Sequence, residues 1–428
     1  MLVHLKTLGC RLNEAELETW SRDFHRYGHS MTRDVDQADL VVINTCAVTE
    51  EAVKKSRKLL RKAKRHNPAA KLVVSGCYAS LEGDAVQAIE GVDLLIPNTE
   101  KNRLVDIVHE KLDVPADQLN KIDDSESQLL FSGRQRAFIK VQDGCRYRCT
   151  YCIVTLARGE EKSRTLDDII SEINLLSAQQ IKEVVLTGVH LGGYGADLGL
   201  NLADLVEAVL ARTNVPRIRM GSLEPWELTD RFWELFKNPR VMPHLHLPLQ
   251  RGADSVLRRM SRRCKTSEFA ELLGKARSSI PDFTITTDII VGFPGETEQE
   301  WQQGFDFIKQ MNFGHIHIFA FSPREGTKAA TLPDPISRDV KRERSQQLHE
   351  LAQQTRRANL ESMLGQQVEV LFEGNESRHE DGTIAWSGYS PNYLRVNVTT
   401  TDDGLVNQIR AVEIIGLNSQ TELDGRLV

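Results

Sequence analysis

The run Ala137-Phe-Ile-Lys-Val-Gln-Asp-Gly-Cys-Arg-Tyr-Arg-Cys-Thr-Tyr-Cys152 joins a β-prone stretch to three cysteines, and its reading decides the architecture. Cys145, Cys149 and Cys152 have three and then two residues between them. Thiolates so spaced reach three corners of one iron–sulfur cube from a single loop. A [4Fe–4S] cluster is normally held by four cysteines. No fourth follows nearby, so one iron keeps a position for a small ligand. The rival is a zinc knuckle, but zinc sites pair their cysteines and close the shell with a fourth ligand. No CxxC partner or spaced CxxH follows here.

Outward from this loop, five more apolar runs follow the first: Glu183-Val-Val-Leu-Thr-Gly188, Arg217-Ile-Arg-Met-Gly221, His244-Leu-His-Leu-Pro-Leu249, Thr284-Ile-Thr-Thr-Asp-Ile-Ile-Val-Gly292 and His315-Ile-His-Ile-Phe-Ala-Phe321. Helical patterns near 166–179, 201–212, 229–236, 267–279 and 297–311 intervene. Six such βα units predict a partial (β/α)6 barrel, whose chemistry belongs on loops at the C-terminal ends of the strands. The cysteine loop follows the first strand, at that rim. A charged helix near 337–362 closes this unit, placed at 137–362. The remainder, 363–428, holds short β-prone runs separated by turn residues and reads as a small all-β barrel. Such barrels bind single-stranded nucleic acid through aromatic rings and basic grooves, with Trp386, Tyr389, Tyr393 and Arg395 as candidates.

Upstream, residues 1–112 alternate β-rich runs (2–8, 39–44, 71–75, 93–97) with helical ones and predict an α/β domain on a parallel sheet. A polar segment, 113–136, links it to the barrel. Cys10, Cys46 and Cys77 each stand at the C-terminal edge of a β-run. Ligands of open α/β sheets collect there, so these thiols are candidates for a second cluster with one iron unfilled. Buried core cysteines are the alternative. Cys264 has no such setting and reads as an ordinary free thiol.

The chain's 428 residues exceed one ordinary core, and 40% hydrophobic with 27% charged residues is a globular composition. No apolar run approaches the roughly 20 residues of a membrane span, and the N-terminus lacks a signal-peptide pattern. Thiols outside the export route stay reduced, which suits cluster ligation and places the protein in the cytoplasm. A net charge of −6 argues against nucleic acid, yet its distribution argues for it. Lys54, Lys55, Arg57, Lys58, Arg61, Lys62, Lys64 and Arg65 crowd one helical stretch just after Cys46. Interleaved apolar residues at helical spacing leave a basic stripe, the footprint of a phosphate backbone.

Together the motifs resemble the methylthiotransferase family of radical S-adenosylmethionine (SAM) enzymes. They are Thr7-Leu-Gly-Cys-Arg-Leu-Asn13, Asn44-Thr-Cys-Ala-Val-Thr49, Ser75-Gly-Cys77, the Cys145 loop, Ala157-Arg-Gly159, Pro248-Leu-Gln-Arg-Gly252 and Asp288-Ile-Ile-Val-Gly-Phe-Pro-Gly-Glu-Thr297. One departure is Thr155, where the family commonly has proline; no ligand is lost by it. The resemblance implies a radical SAM barrel, a C-terminal RNA-binding TRAM barrel and two [4Fe–4S] clusters. Cys145, Cys149 and Cys152 would hold the cluster that binds SAM and cleaves it reductively, while Cys10, Cys46 and Cys77 would hold the auxiliary cluster that carries the sulfur. It also implies SAM contacts, for which Tyr151, Gly188, Gln250 and Glu296 are candidates, with the glycine-rich run Leu191–Gly195 near the methionyl group. Lys54, Lys55, Lys58, Arg61, Lys62 and Arg65 would face tRNA, and a separate reductant protein would supply electrons.

Thr7-Leu-Gly-Cys10 and Asn44–Thr49 look most like the branch that methylthiolates carbon-2 of N6-threonylcarbamoyladenosine beside the anticodon, and Arg11-Leu12-Asn13 follows the first cysteine. The isopentenyladenosine branch typically has Gln-Met-Asn after its first cysteine. That branch is the main alternative. Methylthiolation of a ribosomal protein, a radical SAM enzyme forming a different bond, and a non-catalytic iron–sulfur RNA sensor are the others.

Overall fold

Leu2–Thr7 (β1), Ser30–Met31 (β2), Leu40–Thr45 (β3), Lys71–Gly76 (β4) and Leu94–Ile96 (β5) form a parallel sheet in the order β2-β1-β3-β4-β5. They belong to a computed structural model that describes residues 1–112, 135–418 and 421–428. Helices cover both faces of the sheet, so the central strand β3 is buried at every position. This is why its sequence reads as an unbroken apolar run. The expected α/β domain is therefore observed, with the two-residue edge strand β2 as an addition too short to read. Most of the expected linker, residues 113–134, lies outside the described residues.

The second layer starts with Arg136–Lys140 (β6) and the short hairpin Gln142–Asp143 (β7) with Lys162–Ser163 (β8). Glu183–Thr187 (β9), Arg217–Met220 (β10), His244–His246 (β11), Thr284–Val291 (β12) and His315–Ala320 (β13) complete six main strands. They form two parallel three-stranded sheets, β6-β9-β10 and β11-β12-β13, linked by bridges Ile218–Val241 and Ser222–His246. The result is an arc in sequence order, the partial (β/α)6 barrel expected. Alternate residues such as Ile139, Leu186, Ile218, Leu245, Ile285 and Ile316 enter the core shared with the outer helices. The intervening residues, polar in most strands, face the lumen.

After the helix Arg338–Glu361, the strands Gln367–Arg378 (β14), Ile384–Tyr389 (β15), Arg395–Thr400 (β16), Ile409–Asn418 (β17) and Glu422–Leu427 (β18) close a barrel in the order β14-β15-β16-β18-β17. Its last two strands were not read from the sequence. β17 shifts register between Ile414 and Gly416, and β18 carries acids and Gly425 instead of β-branched residues. Gly425 is needed because a side chain there would sit 2.2 Å from Val412.

The aromatic residues expected to stack on nucleic acid have other duties. Trp386 is in the barrel core, its indole N–H donating to the Asp402 carbonyl. Tyr389 and Tyr393 stack on each other at 5.0 Å and plug the lumen of the central barrel. Arg136 lies 4.3 Å over Tyr389, and Arg219 lies 4.6 Å over Tyr393. Arg217 and Arg219 donate to the carbonyls of Tyr389, Glu369 and Pro391. The buried Arg136–Glu373 pair, at 3.0 Å, is the one direct ion pair across this junction among the described residues. Glu373→Ala would leave Arg136 buried and uncompensated, at a cost of about 3 kcal/mol. Hydrogen exchange should then speed up in β14–β16 and spare β1–β5; uniform protection across both regions would show that the pair does not hold the junction.

Candidate metal centres

Three neighbouring strands of the first sheet end in a cysteine. Cys10 follows β1 and precedes the helix Arg11–Arg26, Cys46 follows β3, and Cys77 opens the helix Cys77–Leu81 after β4. Parallel pairing of Thr7 with Asn44 and of Thr45 with Gly76 brings all three to one rim. The approach is close enough to require glycine at position 9, where φ is +107° and a Cβ would lie 2.8 Å from the Cys46 sulfur. Ser56 fixes the Cys46 backbone by donating to its carbonyl at 3.0 Å and accepting from its N–H at 3.2 Å. Asn98 donates towards the Cys77 sulfur at 3.8 Å and to the Ala157 carbonyl at 2.7 Å. Burial pushes the Cys46 thiol up to about 11. Loading metal there must therefore displace a proton.

The second set sits on the loop after β7. Cys145 and Cys152 are held by backbone bonds to Gly159 and Cys149, and Thr150 ties the loop to the barrel through the Arg259 and Met260 carbonyls. All three thiols are half-exposed, and burial pushes Cys145 up to about 12 and Cys152 up to about 11. Glu161 and His190 also approach the Cys145 sulfur. His190 is no ligand in this arrangement, because Nδ1 bonds Glu161 and Nε2 bonds Glu227 at 2.5 Å. Burial disfavours its cationic form, but the bonds to Glu227 and Glu161 outweigh it and raise the pKa above 6.5. Glu227 also accepts from Tyr147 at 2.6 Å and from Arg146 at 2.9 Å, so the residues between Cys145 and Cys149 are clamped from the β9 and β10 side. Each donor set is thus three sulfurs without a fourth protein ligand among the described residues, which fits a [4Fe–4S] cube with one iron left for a small ligand.

Between the sets lies a buried knot of five charges. Glu16 and Lys101 come from the first domain; Lys140, Asp143 and Arg158 come from the barrel. Lys101 reaches Glu16 at 2.6 Å and Asp143 at 2.7 Å, and Lys140 reaches Asp143 at 2.8 Å and Glu16 at 3.3 Å. Arg158 reaches Glu16 at 2.9 Å and Asp143 at 3.0 Å, and donates to Asn13 at 2.6 Å. The charge of Arg158 is also felt at Cys10 and Cys77. Three cations against two acids leave one positive charge in excess.

The weaker sequence candidates separate. Gly188, just after β9, allows Gln142 to approach, since a Cβ would lie 2.8 Å from its Oε1. Gln250 has φ +70° and is half-buried at the end of β11, where its backbone bridges to Ile289. Tyr151 packs on the cluster of Ala253, Val256 and Phe293. The Leu191–Gly193 turn bonds back to His190. Glu296 requires correction: its carboxylate is enclosed, bound to Arg251 and at 2.9 Å to Arg344, with both guanidiniums over the Trp301 ring. Its carboxylate anchors the Arg338–Glu361 helix. On the basic helix, Glu50–His66, Lys54, Lys55, Lys58, Arg61, Lys62 and Arg65 are exposed, whereas Arg57 is held by Tyr78 and Glu82. Cys264 is buried in the barrel core as an ordinary thiol. The charge knot and the His190 clamp were not recognised from sequence, where Arg158 stood out only as part of the Ala157-Arg-Gly159 motif.

A partial barrel with a three-cysteine loop at its C-terminal rim defines a radical SAM protein, and the radical SAM superfamily model matches residues 139–308. The model described as uncharacterized protein family UPF0004 matches residues 2–97. The chain belongs to the methylthiotransferase family of radical SAM enzymes, which use SAM and two [4Fe–4S] clusters. It is 35% identical to the threonylcarbamoyladenosine tRNA methylthiotransferase of Bacillus subtilis, over 96% of this chain and 93% of that one. It is 36% identical to the Thermotoga maritima protein of the same name, over 92% and 90%. The tRNA-2-methylthio-N(6)-dimethylallyladenosine synthase of Geobacillus kaustophilus is 33% identical, over 99% and 82%. Among solved structures, the radical SAM methyltransferase TsrM of Kitasatospora setae matches with a TM-score of 0.56 at 15% identity, covering 77% of each chain, and shares the fold.

Glu16→Gln should cost about 3 kcal/mol at neutral pH, since three buried cations would then face Asp143 alone. Burial raises the Glu16 pKa, but Arg158, Lys140 and Lys101 more than offset it and hold it well below 4.5. Its contribution is thus complete above pH 4.5 and is lost as pH falls through the folded value. Urea unfolding of metal-free protein should show a gap between wild type and variant that narrows from about pH 6 to about pH 3. A gap independent of pH would remove the ionised Glu16 from this account.

Proposed function

We propose that this chain transfers a methylthio group to carbon-2 of N6-threonylcarbamoyladenosine at tRNA position 37, next to the anticodon. The observation that carries the reaction type is the pair of three-cysteine sets, with one buried charge knot tying their two domains together. The nucleoside follows from end-to-end similarity to two bacterial enzymes named for it and from the Arg11-Leu12-Asn13 sequence after Cys10. Aromatic carbon–hydrogen bonds are neither acidic nor polarised enough for side-chain acid–base chemistry, so a cofactor must carry the step. In this reading Cys145, Cys149 and Cys152 hold the cluster that binds SAM, and Cys10, Cys46 and Cys77 hold the auxiliary one. When bound, these groups supply reductive SAM cleavage and the sulfur to be transferred.

The protein's own residues orient and insulate. The His190–Glu161–Glu227 clamp keeps the SAM-side loop in one conformation. Gly188 and Gln250 follow strands β9 and β11, and Tyr151 packs the loop against the barrel. Burial raises the Cys10 thiol pKa, and the Arg158 charge offsets part of that rise. The six exposed cations of the Glu50–His66 helix are suited to the tRNA backbone. A reductant protein would approach the half-exposed Cys145 loop. No described helix is long and apolar enough to cross a membrane, and the reaction is assigned to the cytoplasm, where its RNA resides.

Replacing Cys145, Cys149 and Cys152 with Ala should abolish formation of 5′-deoxyadenosine. Replacing Cys10, Cys46 and Cys77 should spare appreciable 5′-deoxyadenosine but give no methylthio-nucleoside on tRNA carrying the threonylcarbamoyl group. Methylthiolated product from this second variant would refute sulfur delivery by the first domain. Changing Lys58, Arg61, Lys62 and Arg65 to Glu should weaken tRNA binding and flatten its salt dependence while iron loading persists. An unchanged affinity and salt slope would make this helix an ordinary solvated face.

A further inference from the structure

The lumen of the central barrel carries unusual chemistry next to Cys10. In a closed (β/α)8 barrel the lumen is filled by branched apolar side chains. Here His244 and His246 from β11, Thr286 and Asp288 from β12, and His317 from β13 occupy the lumen-facing positions. His246 bonds Thr286 at 2.9 Å and Asp288 at 3.2 Å, and its ring lies 5.5 Å from that of His317. Asp288 therefore already has His246 as a neighbour. His244 is buried against Tyr393 at 4.7 Å, and its Nδ1 has no partner among the described residues.

Arg11 enters this space from the first domain. It is exposed, lies 5.1 Å over the Phe138 ring and donates to the Tyr393 hydroxyl at 2.9 Å. It forms no ion pair among the described residues, and its charge is felt at both His244 and His317. A guanidinium fixed by a ring and a phenol, without an acid of its own, is prepared for a carboxylate.

We propose that Arg11, held by Phe138 and Tyr393, binds the carboxylate of the substrate's N6 substituent and so selects the threonylcarbamoyl nucleoside. The proposal rests on the substrate reading given above. The atoms N6 and C2 flank N1 on one edge of adenine. A base whose C2 reaches sulfur beside Cys10 therefore carries its N6 substituent along the same edge, within range of the residue that follows Cys10.

The test uses reconstituted full-length enzyme and two anticodon stem-loops, one with N6-threonylcarbamoyladenosine and one with its methyl ester. Methylthio-nucleoside formation gives kcat/KM for each, and iron content verifies loading. Wild type should favour the acid over the ester about 30-fold, as expected for a charge-assisted bond. Arg11→Gln should bring this ratio close to one, mainly through KM for the acid, and Arg11→Lys should restore part of it. Tyr393→Phe, distant in sequence from any cysteine, should lower the ratio partially, which keeps the test decisive if Arg11→Gln loads iron poorly. A purely structural Arg11 would depress both substrates alike and leave the ratio intact. An intact ratio in the Arg11→Gln and Tyr393→Phe variants would overturn the proposal, as would a wild type indifferent to esterification. Wild type inactive on both RNAs would overturn the substrate reading and this subsite with it.

Discussion

The five-charge knot of Glu16, Lys101, Lys140, Asp143 and Arg158 is the constraint on which the remaining arrangement depends. Each acid touches all three cations, so neither domain can rotate against the other without breaking several contacts at once. An apolar interface of similar size would tolerate sliding, because hydrophobic contact is non-directional. Asp143 lies two residues before Cys145, and Glu16 is on the helix that starts after Cys10. The knot therefore sets the spacing between the two sulfur-bearing rims. Such a buried network costs desolvation, and registry is the best-attested reason to keep one.

The C-terminal barrel completes the lumen from the other side. Tyr389 and Tyr393 fill it as a stacked pair, Arg136 pairs with Glu373, and Arg217 and Arg219 cap backbone carbonyls that would otherwise be buried unpaired. Tyr393 also contacts Arg11. One phenol thus touches all three parts of the chain, and residues far apart in sequence depend on each other's placement.

Much of this was legible in the amino-acid order. Fully buried strands such as β3 and β9 leave unbroken apolar runs, and the cysteines stand where those runs stop. The knot was not legible, since Lys, Arg, Glu and Asp are read as surface residues until their partners are known. Glu296 misled for the same reason: its position at a strand end suggested a ligand contact, while Arg251 and Arg344 arrive from 45 and 48 residues away. Tyr389 and Tyr393 fit the pattern of a stacking surface, and only the docking of the barrel shows that their faces are covered. Strands β17 and β18 escaped because a bulge and acidic residues break their alternation.

The exposed basic face of the Glu50–His66 helix belongs to a molecule whose net charge is −6. Such a particle has a strong electric asymmetry. Far from a polyanion it experiences a weak overall repulsion, and close by it experiences a torque that turns the helix forward. Collisions in most orientations are then unproductive, while those led by the helix are prolonged. If this helix meets the tRNA backbone as proposed, the first domain acts as the bow of the molecule and brings the cysteine rim at the start of that helix with it. Orientation is then selected during approach, before any base is recognised.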